Sequence, residues 1–310
     1  MLKDKRTAAD ISVFCVYIAL MLLNMFFYLG AVKLSDNATE RIFTVLSQVV
    51  CMGILPFFLF RAFNKDSDIG EHISLRRPKG GTMPKILLIA LMMIFINMTI
   101  SVINYIALQI FGFSAVSSAG TIYNGYGTLF LDLILTAMLP AVFEEFTFRG
   151  VVLGAYKDSP IAGIIISSLL FALMHTNVLQ FLYAFVGGVV MAVLVIKTRS
   201  IIASSIIHFA INAFSVLRSY GYQYASSPAN ILNVLLDFLL SPAFIIIFFA
   251  GVVFMAVAVV RILKKIDADD PVDLKAKAPK RPFGSNAFLA GAIVFGTLMT
   301  VFTFVWGVAR

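Results

Sequence analysis

Polar residues are so sparse along this chain that they act as punctuation. Apolar stretches run near 11–32, 43–63, 85–112, 126–156, 160–176, 178–197, 200–219, 242–263 and 286–309. Most are close to the ~20 residues a helix needs to cross a bilayer. Two polar linkers, 64–84 and 267–285, interrupt the series. Both are short and lack an apolar pattern, so they read as solvated loops and not as domains. No fixed-period repeat emerges. The predicted fold is all-α, a polytopic transmembrane bundle of eight or nine spans forming one integral membrane domain over 1–310. Between spans seven and eight, Ile231, Val234, Leu235 and Phe238 recur at helical spacing before Pro242. The 230–240 segment is either an interfacial helix on the outer face or an early start to span eight.

Composition agrees with this pattern. Hydrophobic residues make up 60% of the chain and charged residues 13%, against ~45–50% and ~25% in soluble domains; mean hydropathy is +0.96. The apolar run at 11–32 exceeds a signal-peptide core and reads as an uncleaved first span. Nine spans with a cytoplasmic N-terminus place nineteen Lys and Arg residues on inside segments and four outside, with Arg149 left in the membrane. That asymmetry predicts a multi-pass protein of the cell membrane with its N-terminus in the cytoplasm. It also accounts for the net charge of +8 without nucleic acid as a partner. Cys15 and Cys51 lie in apolar runs and offer neither a disulfide framework nor a Cys-based metal motif.

Against this background the intramembrane ionisable residues stand out. Glu144, Glu145 and Arg149 interrupt span four, and two of the three histidines, His175 and His208, fall in spans five and seven. An ionisable group costs at least ~2.5–3.5 kcal/mol at a helix centre in the bilayer. Counted from the cytoplasmic helix ends, Glu144 and Asn212 lie ~18 Å deep, His175 ~22 Å and His208 ~12 Å, one layer within helix tilt. Ser204, His208 and Asn212 form a polar stripe on span seven, and Ser168, Phe171 and His175 share a face of span five. Glu145 and Arg149 are an i,i+4 pair, whereas Glu144 points about 100° away on an ideal helix. Pro140 takes the donor from the Thr136 carbonyl and predicts a kink just outside the glutamates. His72, in a basic loop, makes no comparable case.

Such a set supports two routes to amide hydrolysis. Glu beside His can activate a water while His and an Asn amide stabilise the oxyanion. Alternatively, Glu144, His175 and His208 supply the three ligands of an open zinc site with a second Glu as base. Because Glu145 is already paired with Arg149 and turned from Glu144, the sequence favours the metal-free scheme over zinc. No Gly-x-Ser-x-Gly elbow, His-Glu-x-x-His helix, Gly-x-Gly-x-x-Gly or P-loop appears. Two other classes use the same residue types. A proton-coupled transporter would extend a polar path through residues such as Asp132, and a non-catalytic immunity or scaffold protein would keep the cluster for structure.

Glu144-Glu145-x-x-x-Arg149, Phe171-x-x-x-His175 and His208-x-x-x-Asn212 occur in order on three separate spans. The chain thereby resembles the CPBP intramembrane proteases, which include type II CAAX prenyl endopeptidases and bacterial bacteriocin-processing or immunity-associated members. The resemblance covers roughly 126–216, the expected catalytic core. It implies Glu144 as catalytic glutamate supported by Glu145 and Arg149, with His175 and His208 completing the water-activating and oxyanion group, which Asn212 joins. Phe171 would pack the site. The implied activity is hydrolysis of a membrane-associated peptide or protein, by a metalloendopeptidase or a metal-free glutamate mechanism.

Overall fold

Among the described residues, nine long helices take up the nine apolar stretches. The computed structural model describes residues 5–28, 36–65, 68–114, 125–224, 242–266, 276 and 286–308, among which there is no strand. The helices are α1 (Lys5–Tyr28), α2 (Ala38–Phe63), the short α3 (Ile69–His72), α4 (Met83–Ile110), α5 (Tyr126–Ala155), α6 (Pro160–Met174), α7 (Val178–Thr198), α8 (Ile201–Tyr224), α9 (Pro242–Lys264) and α10 (Ala287–Val308). Among the described residues seven helices, α1, α2, α4, α5, α7, α8 and α10, are long and apolar enough to cross a membrane, and α6 is a shorter apolar helix of 15 residues. The chain is a multi-pass membrane protein. The 230–240 segment lies outside the described residues.

Local chemistry sets the helix ends. Pro84 and Pro160 stand in the first turns of α4 and α6, where the missing N–H costs nothing. Asp68 caps α3 by accepting from the Gly70 and Glu71 amides. α7 stops at Arg199, whose left-handed φ of 49° turns the chain, and the Ser200 hydroxyl accepts from the Ala203 amide to start α8.

Between α6 and α7 the chain reverses over His175, Thr176 and Asn177. Thr176 has φ 45°, a conformation that costs a β-branched residue of order 1–3 kcal/mol. Side chains hold this turn: Asn177 accepts from the Leu179 amide, Asn104 of α4 donates to the Val178 and Leu179 carbonyls, and Thr303 of α10 accepts from the Val178 amide. Irregular backbone at membrane depth needs protein partners of this kind.

α5 lies at the centre and packs against α1, α2, α6 and α8. Its Phe148, Val151 and Val152 join Leu170 and Phe171 of α6, Ile207 of α8, Met52 and Phe60 of α2, and Val13 and Val16 of α1 in one buried core. Outward apolar side chains such as Leu91, Val102, Phe254 and Leu298 are exposed and form the surface that lipid covers.

Two expectations need correction. The first helix begins at Lys5, before the apolar run at Ile11, with Arg6, Thr7, Asp10 and Ser12 all buried. Arg6 pairs with Asp158, and the Tyr156 hydroxyl donates to Asp10 at 3.1 Å, so polar contacts with the α5–α6 turn carry the helix past the hydropathy edge. His72 is buried, not solvated. It stacks on Phe60 at 4.3 Å and its Nε2 donates to the Val151 carbonyl at 3.3 Å. Just before Pro140 the winding widens: Leu133–Met138 has π-helical i→i+5 bonding, and α-helix resumes at Leu139.

Candidate active site

Span α5 presents its charged residues where the winding changes again, from α-helix over Leu139–Glu145 to π-helix over Phe146–Val152. Glu144 and Glu145 are 5% and 0% exposed and Arg149 is 1% exposed. Arg149 Nη1 lies 2.9 Å from Glu145 Oε1, the expected i,i+4 pair. Its guanidinium carbon also stands 4.2 Å over the Phe171 ring, a cation–π contact strengthened by the absence of water. Space for this head group comes from α7: a Cβ at Gly188 would lie 3.0 Å from Ser168 Cβ and 3.3 Å from Arg149 Nη2.

His208 of α8 approaches both carboxylates. Its Nδ1 is 3.0 Å from Glu145 Oε1, and its Nε2 is 3.8 Å from Glu144 Oε2. Glu145 keeps its Arg149 pair and Glu144 faces elsewhere, yet one ring stands near both. Adjacent residues do diverge on the helix, but one imidazole lying across α5 has nitrogens on opposite sides of the ring and spans the divergence. Glu145 is thus held from two sides, by Arg149 and by His208.

Phe171 organises the rest. Its ring meets His175 edge-on at 5.0 Å, His208 edge-on at 5.6 Å and Phe148 at 5.5 Å. His175 follows the last residue of α6, and its Nδ1 is 2.9 Å from the Phe171 carbonyl. That contact requires the proton on Nδ1 and leaves Nε2 available. Asn212 sits one turn beyond His208, half-buried; its amide makes no hydrogen bond among the described residues.

The zinc scheme drew on Glu144, His175 and His208. Among the described residues no three His, Cys, Asp or Glu side chains stand close enough together to hold a metal ion. Each histidine has its Nδ1 engaged, by Glu145 or by the Phe171 carbonyl, which leaves Nε2 as its open nitrogen. On the spacing alone, the donor set does not fit a three-ligand site in this conformation.

Two further polar residues complete the picture. Gln48 of α2 donates through Nε2 to Glu144 Oε1 at 2.8 Å. The sequence reading passed over it, although a lone amide inside the 43–63 apolar run was the available signal. Asp132, the candidate extension of a proton path, instead forms an ion pair with Arg41 of α2 at 3.1 Å. A small recess of about 50 Å³ at the loop rim, lined in part by Ser74, Leu153, Lys157 and Arg199, reaches Arg149 but none of the glutamates or histidines.

All the motif residues fall inside one stretch that comparison picks out. Residues 126–214 match the family model described as type II CAAX prenyl endopeptidase Rce1-like. The segment is Rce1-like. The Rce1-like stretch covers α5 to α8 up to Phe214, a little under a third of the chain. No curated protein and no solved structure matches the chain. Gln48, on α2, is the one described partner of Glu144 that lies outside the Rce1-like residues.

Proposed function

We propose that the chain is an intramembrane endopeptidase that cleaves a peptide bond of a membrane-associated peptide or protein with a glutamate-activated water. The observation carrying this reading is the convergence of Glu144 and Glu145 on the His208 ring at 3.8 and 3.0 Å, in a stretch matching a protease family.

In this scheme a water gives its proton to Glu144 Oε2 while its oxygen bonds to the substrate carbonyl carbon. The carbonyl electron pair moves onto oxygen. The Asn212 amide and the Nε2–H of His208, acting as the doubly protonated imidazolium, donate to that oxyanion, and Glu145 holds its Nδ1–H so that the ring cannot turn away. Collapse re-forms the carbonyl and breaks the C–N bond, and Glu144 returns the proton to the departing amine. His175, fixed through Nδ1, presents Nε2 to the water beside Glu144. Arg149 neutralises Glu145 and leaves Glu144 to do the proton transfer. The ion pair between Asp132 and Arg41 favours this reading over a proton path, because it gives that carboxylate a structural partner.

The test is release of fragments from membrane-tethered peptides by purified protein, followed by mass spectrometry. Glu144→Ala, His175→Ala and His208→Ala should each abolish release, and Asn212→Ala should cost roughly 10²–10³-fold, the usual loss of one oxyanion donor. Full activity in the Glu144 and His175 variants would overturn the assignment. Stoichiometric zinc whose removal and return switches release off and on would overturn the metal-free scheme alone.

A further inference from the structure

Gln48 belongs to none of the three motifs, yet its side chain ends on the proposed base. It is 9% exposed and Glu144 5%, and the Nε2–Oε1 distance is 2.8 Å. A carboxylate only accepts hydrogen bonds, so the amide nitrogen is the atom that must face it.

The contact is set by the docking of two helices. α2 is wound as π-helix over Leu46–Ile54, and α5 is π-wound again from Phe146. Two further contacts clamp these stretches together. The Thr147 hydroxyl donates to the Met52 carbonyl. Gly53 lets the Phe143 ring press against α2, where a Cβ would lie 2.6 Å from Phe143 Cδ1. On α5 these contacts flank Glu144, and on α2 they fix the turns just after Gln48, which is thereby presented to Glu144.

This makes the two oxygens of Glu144 unlike. Oε1 accepts from Gln48, whereas Oε2 has no hydrogen-bond donor among the described residues and faces His208 Nε2. The terminal torsion of a glutamate is otherwise broad and lets the two oxygens exchange. We propose that Gln48 is a positioning residue: its amide stops that rotation and keeps Oε2 directed toward His208, where the water loses its proton. Gln48 takes no part in bond making or breaking. The proposal rests on Glu144 being the base.

The test is steady-state kinetics on a tethered peptide with rates normalised to monodisperse protein. Gln48→Met keeps the size and removes the donor. With Glu144→Ala inactive, Gln48→Met should lower kcat roughly 10–100-fold, the range for a hydrogen bond to a charged group, with KM and the detergent unfolding temperature unchanged. Should the Met variant not fold, Gln48→Leu is apolar, lacks the amide donor and gives the same readout. A wild-type kcat, or a loss that only tracks the folded fraction, overturns the positioning role and leaves the protease reading standing. Activity in Glu144→Ala overturns both.

Discussion

Arg149 is a cation sealed from water, and its partners decide what removing it does. Glu145 lies 2.9 Å away and Phe171 lies under the guanidinium. Arg149→Ala strands a buried carboxylate, a change that costs ~3–5 kcal/mol, so folded yield should fall before catalysis can be measured. Adding Glu145→Gln should recover yield by removing the stranded charge; size-exclusion profiles in detergent check both, and an unchanged profile for Arg149→Ala would count against the pair as a structural tie. A second residue carries a pH effect. Burial pushes His72 down to about 4 from the usual 6.5, so between those values the unfolded chain binds the proton and the folded one does not. Its contribution is fully present above pH 6.5 and is lost as pH falls toward 4, by up to roughly 3 kcal/mol. His72→Phe, which keeps the stack on Phe60, should flatten that part of the stability profile relative to the native chain in thermal unfolding from pH 7 to 4. Glu144, Glu145, Arg149, His175 and His208 were legible because each is a charge or imidazole where hydropathy forbids one. His72 was not legible, since nothing in its basic surroundings says that the loop folds back onto Val151 and Phe60.

At the scale of helices, hydropathy located the apolar segments well and their neighbours poorly. Periodicity describes one helix at a time, and the Gln48–Glu144 contact joins residues 96 positions apart. Nor does it report winding: the π-helical turns at Leu46–Ile54 and Phe146–Val152 shift every later side chain around its axis. The ideal-helix estimate that parted Glu144 from Glu145 took no account of the ring bridging them. Close approaches between helices are equally silent in sequence, because a glycine there looks like any other. Gly188 and Gly187 make a paired experiment. A Cβ at 188 would meet Ser168 at 3.0 Å, whereas at 187 the nearest atoms stand 3.8 Å away. Gly188→Ala should destabilise by about 1–3 kcal/mol and cut activity by moving Arg149, and Gly187→Ala should be tolerated. Equal unfolding temperatures for the two would show that α6 and α7 are not packed at contact distance there.

For the molecule as a whole, hydrogen bonds and ion pairs gather several loop segments on one rim. Arg6 reaches Asp158, Lys157 reaches the Glu71 carbonyl, the Ile201 amide reaches Ser74, and Lys85 and Lys197 reach the carbonyls of Lys265 and Ile266. These are the segments that the basic-residue count groups together, and we propose that this rim is cytoplasmic. At the other end the Ser114 amide donates to the Gly307 carbonyl, joining the end of α10 to the segment after α4. A cysteine in place of Pro78 should react with an impermeant thiol reagent only after spheroplasts are opened; labelling from outside would reverse the orientation. The short α6 has one more consequence. Fifteen residues rise ~22 Å, whereas the hydrocarbon core is ~30 Å thick. The α6–α7 turn, tied to Asn104 well before the end of α4, therefore meets the bilayer below its normal surface. Where lipid faces this sector it would have to thin or tilt to match, a hydrophobic mismatch of fractions of a kcal/mol per Å. His175 stands at the head of that turn, so activity is expected to change with acyl-chain length when the protein is compared in thin and thick bilayers.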